Sequence, residues 1–398
     1  MNVTIRPGRA DGVAAVPPSK SCAHRLLICG ALAKGTSVID GVIESEDMLA
    51  TLDCLRALGA SVTKSGAVVT VCGRAETPAG PFPCRESGST LRFLLPVALA
   101  LGTEAVFTGT ERLMARGVSV YEEALAPKGI TFTHTPRSLT VRGALTPGEY
   151  ILRGDVSSQF VSGLLLALPL LAGESVIRLL PPVESRSYIG LTLDALAQFG
   201  VRIEAEGDTL RIPGGQPYMP CRAYVEGDWS NAAALAALNA LGGHVTLTGL
   251  NPDSRQGDRV CLSLLARLDT PDAQIDLSDC PDLGPVLFAA AALKNGARFT
   301  GTRRLRIKES DRAAAMAREL AKFGIRAEVG ENDVRILPGT LVPPKEPLES
   351  HNDHRVVMAL TLLAARAGGT VTGAEAVNKS FPGFFRTVRD LGLEIIES

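Results

Sequence analysis

The chain has 398 residues, with 41 Lys and Arg against 42 Asp and Glu, and it is 45% hydrophobic and 5% aromatic. Near-neutral charge without a basic run covering a face excludes a nucleic-acid surface, so any cationic cluster must be local. Eight cysteines without a C-x-x-C pair leave no disulfide framework and no readable structural zinc site, and the longest apolar run, from Phe160 to Ala172, is too short to span a bilayer. With no apolar stretch at the start to act as a signal peptide, the expectation is a cytoplasmic α/β protein of two or three domains that does not touch a membrane.

Residues Met1 to Ala15 read as a short strand-like start, NVTIRPG. Next comes VPPSKSCAHRLLICGALAKGTSVIDG from Val16, a turn carrying Lys20 and Ser21, an apolar helix up to Gly35, a short alternating strand and a closing Gly. The same grammar returns from Ser89, Ser157, Ser230, Asp282 and His354. Between the copies a second phrase recurs, an amphipathic helix running into Gly and two alternating strands. It is clear in LDCLRALGASVTKSGAVVTVCG, LAQFGVRIEAEGDTLRIPGG and LAKFGIRAEVGENDVRILPG, and looser in EEALAPKGITFTHTPRSLTVRG and LSLLARLDTPDAQIDL. The unit is helix, strand, helix, strand, strand, repeated roughly every 65–70 residues, which is longer than a solenoid period and suits a small α/β module.

Six modules divide naturally into two domains. Residues 19–225 hold modules one to three, and residues 1–18 with 226–398 hold modules four to six. The N-terminal strand is then expected to complete the second domain, with the active site in the cleft between the lobes. The first helix of each module is apolar nearly all round and should be buried. Its polar residues gather at the start: Lys20, Ser21 and Arg25; Gly88, Ser89 and Arg92; Ser157, Ser158 and Gln159; Asp228, Ser230 and Asn231; Asp282; and Asp353, His354 and Arg355. Helix starts carry unsatisfied N–H groups and about half a positive charge, so several aimed at one place, with Lys and Arg added, suit a small polyanion. Ordinary N-capping explains single Ser, Asp and Asn residues but does not require the cations.

Other short runs add candidates. GTERLMARG offers Arg112 and Arg116, ESRSY offers Ser185, Arg186 and Tyr188, and NKSFPGFF offers Lys379. RRLRIKESDR is the densest, and on a following helix Lys308 and Arg312 would stand at i and i+4 on one face beside Glu309. HNDHR is a weak metal signal at a helix start, and no metal is expected. Neither G-x-x-x-x-G-K-S/T nor G-x-G-x-x-G occurs, and no Ser-His-Asp set can be placed. Many basic groups against few acids predict a substrate with two phosphate or carboxylate groups, with Asp282 and Glu309 as proton carriers.

In order, PSKSCAHR, ESGSTLR, GDVSSQF, SRSYI, EGDWS, PDLGPVLF, RIKESDR, NDHRVVMAL and NKSFPGFF resemble the motifs of the enolpyruvyl transferases, over essentially the whole chain. The resemblance implies two similar lobes, each of three βαβαββ modules with buried helices, in an inside-out barrel-like α/β fold. It implies transfer of the enolpyruvyl group of phosphoenolpyruvate to the 5-hydroxyl of shikimate 3-phosphate, without a cofactor and by a monomer. Carried over by motif, Lys20, Ser21, Arg25, Ser157, Ser158, Gln159, Ser185, Tyr188, Asp282 and Lys308 would hold shikimate 3-phosphate. Lys20, Gly88, Arg112, Gln159, Arg312, Arg355 and Lys379 would hold phosphoenolpyruvate. Asp282 would take the hydroxyl proton, and Glu309, helped by Lys20 or Lys379, would protonate the methylene carbon.

Three positions depart from the family pattern: Glu86 for a usual Asn, Arg304 for a common Asn, and Gly117 for a usual Pro. They bear on the fit to substrates and to glyphosate. Two rivals remain. A transferase acting on UDP-N-acetylglucosamine is expected to carry a Cys within Gly109–Val118 and an Asn after the first Lys, where this chain has no Cys and Ser21. A catalytically silent phospho-metabolite binder would lose Asp282 or Glu309.

Overall fold

The computed structural model describes residues 1–73 and 80–398. It contains two compact units, one of Pro18–Glu226 and one of Met1–Pro17 with Gly227–Ser398, and each has its own apolar core.

Six largely apolar helices form the centres of these cores. In the unit of residues 18–226 they are α1 (Lys20–Leu32), α2 (Gly88–Leu101) and α3 (Ser158–Ala167); in the other they are α4 (Trp229–Ala237), α5 (Gly284–Leu293) and α6 (His354–Ala367). In α5 nine of ten residues are buried and in α3 nine of ten, because almost no position carries a group that needs water. Five of the six starts are capped by the side chain just ahead of the helix. Ser19, Ser87, Ser157, Asp228 and Asp353 accept from Cys22, Thr90, Gln159, Asn231 and Arg355 N–H groups, while α5 has no side-chain cap.

Around the helices, among the described residues, lie five four-stranded sheets of one pattern, a parallel pair extended by two antiparallel strands, which form a hairpin in four of the five. In the first, Thr36–Asp40 runs parallel to Arg222–Tyr224 and antiparallel to Val68–Cys72, which pairs in turn with Ser61–Ser65. Asn2–Ile5 enters the last sheet between Gly369–Thr372 and Ile395–Glu397, antiparallel to both, with Asn2 opposite Thr372. The sixth sheet has only two strands, His244–Thr248 parallel to Asp11–Ala15. The loose match LSLLARLDTPDAQIDL, expected to supply its hairpin, forms the helix Cys261–Arg267 and the strand Gln274–Asp276. That strand pairs with Ala297–Thr300 of the following sheet, so the fourth module lacks its hairpin among the described residues.

The close approach of α2 and α3 has a specific cause. A Cβ on Gly163 would stand 2.1 Å from the Tyr121 hydroxyl and 2.3 Å from the Arg92 carbonyl, so only glycine fits. Pro96 lies one turn after Arg92 and has no N–H to give that carbonyl; the buried Tyr121 hydroxyl donates to it instead, at 2.7 Å. Among the described residues no helix is long and apolar enough to cross a membrane.

Candidate active site

In the unit of residues 18–226, the starts of α1, α2 and α3 bring together groups that are far apart in sequence. Lys20 opens α1 and its ammonium lies 2.7 Å from the Asp47 carboxylate, both side chains mostly buried. Arg25, one turn and a half further on, is only 2% exposed. Its guanidinium donates to the Ser21 carbonyl at 2.7 Å, Thr192 Oγ1 at 2.8 Å, the Tyr188 carbonyl at 3.1 Å and Ser162 Oγ at 3.3 Å, and lies over the Phe93 ring. None of these partners is a carboxylate, and burial pulls the group down to about 10. Arg25 therefore ties α1 to α3 and to the helix Arg186–Gln198, and among the described residues no carboxylate pairs with its charge.

Ser185 stands at the start of that helix in a left-handed conformation (φ 55°, ψ 42°), which costs a non-glycine residue of order 1 kcal/mol or more. The turn places Ser185 and Tyr188 beside the groups that Arg25 joins. Gln159, in the first turn of α3 after Ser157 and Ser158, accepts from Arg92 at 2.7 Å and donates to Ser89 Oγ at 2.9 Å. Arg92 also donates to the Gly117 carbonyl at 3.3 Å. The Arg116 guanidinium then closes over Gly88, its nitrogens 3.0 and 3.1 Å from where a Cβ would stand.

The two arginines of GTERLMARG differ in placement: Arg112 is exposed and Arg116 packs on Gly88. Arg112 lies in the short helix Glu111–Ala115, whereas Arg116 falls where the chain reverses at Gly117, whose φ is 65°. The sequence offered both arginines in one motif, and the resemblance assigned Arg112. Arg92 was visible as a cation at a helix start, but its partnership with Gln159, 67 residues away, was not.

In the other unit the cluster is built on Arg312, which is 1% exposed. Its guanidinium reaches three carboxylates: Asp282 at 2.7 Å, Glu309 at 2.8 Å, and Asp353 at 2.8 and 3.3 Å. Lys308 donates to the same Asp282 oxygen at 3.0 Å, and Ser310 to Asp353 at 3.0 Å. Lys308 and Arg312 do converge, though not as i and i+4 on a helix. Asp311 caps a helix that begins only at Arg312, and Lys308 lies in extended backbone after the turn Arg303–Ile307. Burial alone would raise Asp282, but Lys308, Arg312 and Arg355 outweigh it and hold the carboxyl well below the usual carboxylate range. Burial also pulls Lys308 below the usual lysine value, against the attraction of Asp282.

Arg355 donates to Asn231 at 2.8 Å and lies 3.9 Å from Asp228, so it joins the start of α6 to that of α4. Lys379 donates to the Asn352 carbonyl at 2.6 Å, one residue before Asp353. His351 and Asn352 both take left-handed backbone there (φ 51° and 53°), and His351 is held by the buried Glu319 at 3.0 Å. The expectation of few acids is corrected by this arrangement: Asp228, Asp282, Glu309 and Asp353 stand among the cations here, and Asp47 does so in the other unit. Arg304 is buried and donates to the Ser278 carbonyl. Glu319, Glu349 and His351 are placed closely enough to suggest a metal, but Glu319 is already engaged by His351, Lys322 and the Glu349 N–H.

Modules of buried helices, with cations and carboxylates at the helix starts and no nucleotide-binding loop, define the enolpyruvyl transferase class of α/β protein. Residues 5–388 match the model of the EPSP synthase (3-phosphoshikimate 1-carboxyvinyltransferase) family, and the chain belongs to that family. A 3-phosphoshikimate 1-carboxyvinyltransferase of Clostridium kluyveri is 40% identical, over 99% of this chain and 98% of its own length; one from Clostridium perfringens is 37% identical, over 98% of each. The solved structure of EPSP synthase from Acinetobacter baumannii superimposes with a TM-score of 0.79 at 27% identity, covering both chains completely.

Proposed function

We propose that this chain transfers the enolpyruvyl group of phosphoenolpyruvate to the 5-hydroxyl of shikimate 3-phosphate, giving 5-enolpyruvylshikimate 3-phosphate and phosphate. The observation that carries the residue assignment is the single guanidinium of Arg312 holding both expected proton carriers, Asp282 and Glu309, in one hydrogen-bonded set. Family membership favours this reaction over transfer to UDP-N-acetylglucosamine. The presence of both carboxyls favours an enzyme over a silent binding protein.

In this reading Ser21, Ser157, Ser158, Gln159, Ser185 and Tyr188 bind shikimate 3-phosphate with Lys20 and Lys308, and the buried charge of Arg25 attracts the phosphate dianion. Lys20, Gly88, Arg116, Gln159, Arg312, Arg355 and Lys379 bind phosphoenolpyruvate; Arg116 replaces Arg112 because it is the arginine packed on Gly88. Asp282, kept ionised, accepts the 5-hydroxyl proton as the oxygen attacks C2 of phosphoenolpyruvate. Glu309 gives a proton to the methylene carbon, which becomes a methyl group in a tetrahedral intermediate. Glu309, left as a carboxylate, then takes a proton back from that methyl as the bond from C2 to the phosphate oxygen breaks, which releases phosphate and forms the enol ether. The cations first offset the repulsion between two anionic substrates, and holding the partners in line can then supply up to roughly 7–11 kcal/mol of the barrier. Eight unbridged cysteines, five of them buried, support a cytoplasmic location.

The test is phosphate release with both substrates, comparing the native chain with Glu309→Gln. Release should need both substrates and fall by roughly 10²–10⁴-fold in the variant. A variant that releases phosphate at the native rate would remove Glu309 from the chemistry.

A further inference from the structure

Behind the start of α4 lies a carboxyl that the reaction above does not use. The segment Ser254–Asp258, SRQGD, buries alternate polar side chains, with Ser254 4%, Gln256 7% and Asp258 1% exposed. Gln256 clamps the entry to α4, accepting from the Trp229 N–H at 3.0 Å and donating to the Gly227 carbonyl at 2.8 Å. Asp258 accepts from Ser230 through one oxygen, and its other oxygen is buried with no hydrogen-bond partner among the described residues. Ser230 lies between Asp228 and Asn231, the two residues that face Arg355. An ionised carboxylate with one oxygen unserved is costly in such a place, while the neutral acid is much less so.

We propose that Asp258 is a positioning residue for the reaction, acting through Ser230 and through its charge on Asp282 and Arg355. This rests on the reading of Asp282 as base and of Arg355 as a holder of phosphoenolpyruvate. The titratable and charged groups that face Asp258 are Asp228 at the start of α4, Asp282 and Cys280 ahead of α5, Arg355 on α6, and Cys261 on the helix it precedes. Burial, then the like charge of Asp282 with a smaller push from Asp228, raises the Asp258 carboxyl to about 7 against the pull of Ser230 and Arg355. Burial and the nearby carboxylates raise both thiols, so at neutral pH they carry no charge to compete.

The consequence is a division of effects by charge. Neutral Asp258 leaves only Asp228 and Asn231 to share Arg355 with the substrate carboxylate or phosphate. Ionised Asp258 places a second negative charge near Asp282, which then holds a proton more firmly, and it competes for Arg355. As pH rises through neutrality, kcat should therefore rise and the KM for phosphoenolpyruvate should rise with it, each by roughly 3–30-fold.

Asp258→Asn keeps the shape and the Ser230 contact but fixes the neutral form. Phosphate release by the full chain should then show kcat and KM near the native acidic values throughout pH 5.5–8.5. Ser230→Ala removes a hydrogen bond that favours the ionised form, so it should move the native pH step upward. A third measurement needs no substrate. A carboxyl raised on folding binds its proton more tightly in the native state, so stability should fall as pH rises from about 4 to 7. Thermal unfolding of the ligand-free native protein should show that fall, and Asp258→Asn should lack it. Native-like pH steps in Asp258→Asn, both in kinetics and in ligand-free unfolding, would overturn the proposal. Undiminished kcat in Asp282→Asn would instead overturn the reading of Asp282 as base, and the unfolding measurement would still decide whether Asp258 titrates near neutrality.

Discussion

Replacing Arg312 by Lys keeps the charge and removes the geometry. The native guanidinium makes four hydrogen bonds, of 2.7 to 3.3 Å, to three carboxylates. An ammonium is a point donor on a flexible stem and cannot span Asp282, Glu309 and Asp353 at once, so at least two of these contacts are lost. A hydrogen bond to a charged group contributes about 1.5–3 kcal/mol, which gives about 3–6 kcal/mol for two. Asp282 and Glu309 keep some contact with water, at 21% and 17% exposure, and Lys308 and Ser310 still serve Asp282 and Asp353; the low end, about 3 kcal/mol, is therefore expected. Urea unfolding of ligand-free Arg312→Lys should show that loss as a lower midpoint with an unchanged slope. At 1.4 kcal/mol per factor of ten, the same loss of placement at the reacting groups predicts kcat/KM lower by about 10²-fold. A variant within about 1 kcal/mol of native stability and threefold of native kcat/KM would refute the idea that this guanidinium organises the three carboxylates.

Arg116→Ala should raise the KM for phosphoenolpyruvate at least roughly tenfold, since a charge-assisted contact is worth about 1.5–3 kcal/mol, whereas exposed Arg112→Ala should stay within about threefold. Steady-state kinetics on the two variants decides between the arginines, and the reverse ranking would restore Arg112. Acid unfolding tests Asp282. Its carboxyl is held below the usual range by Lys308, Arg312 and Arg355 despite burial, so its contribution is present above about pH 4 and is lost as pH falls through the folded-state value. Circular dichroism should show the native protein losing stability below pH 4 more steeply than Asp282→Asn; parallel curves would contradict that assignment.

The repeats were readable because a buried helix leaves a long apolar run behind a capping Ser or Asp, and that signal is local. Ser157, Asp228 and Asp353 could be located this way, whereas the caps Ser19 and Ser87 lie two residues ahead of the singled-out Ser21 and Ser89. Modules one, two, three and five have their hairpins, and in the sixth Asn2–Ile5 pairs with Ile395–Glu397 instead. The fourth lacks one among the described residues, because DTPDAQIDL imitates a strand pair by alternation alone, while the partner that claims Gln274–Asp276 lies in the next module. The cations of the candidate site were legible for the same local reason. Asp228, Asp282, Glu309 and Asp353 were legible too, but not which cations they meet: Asp353 lies 41 residues from Arg312. Asp47, 27 residues from Lys20, and Asp258, in a stretch that reads as a polar loop, were missed. The helix register of Lys308 failed because Asp311, between the two basic residues, caps the chain and starts the helix afresh.

The strand Asn2–Ile5 lies between residues 369–372 and 395–397, which makes the order of synthesis matter to the two units differently. Residues 18–226 are contiguous, so every strand in that unit has met its partners' sequence once Tyr224 has emerged from the ribosome. The first strand of the chain leaves earliest and finds its neighbours last. At about 5–20 residues per second, residues 227–398 take roughly 10–30 s to follow, and through that interval two unpaired sheet edges wait in a partly made protein. Asn2–Ile5 has only four residues, and Arg6 and Pro7 follow at once, a short edge ending in a charge and a proline, which are the features that discourage pairing with the wrong chain.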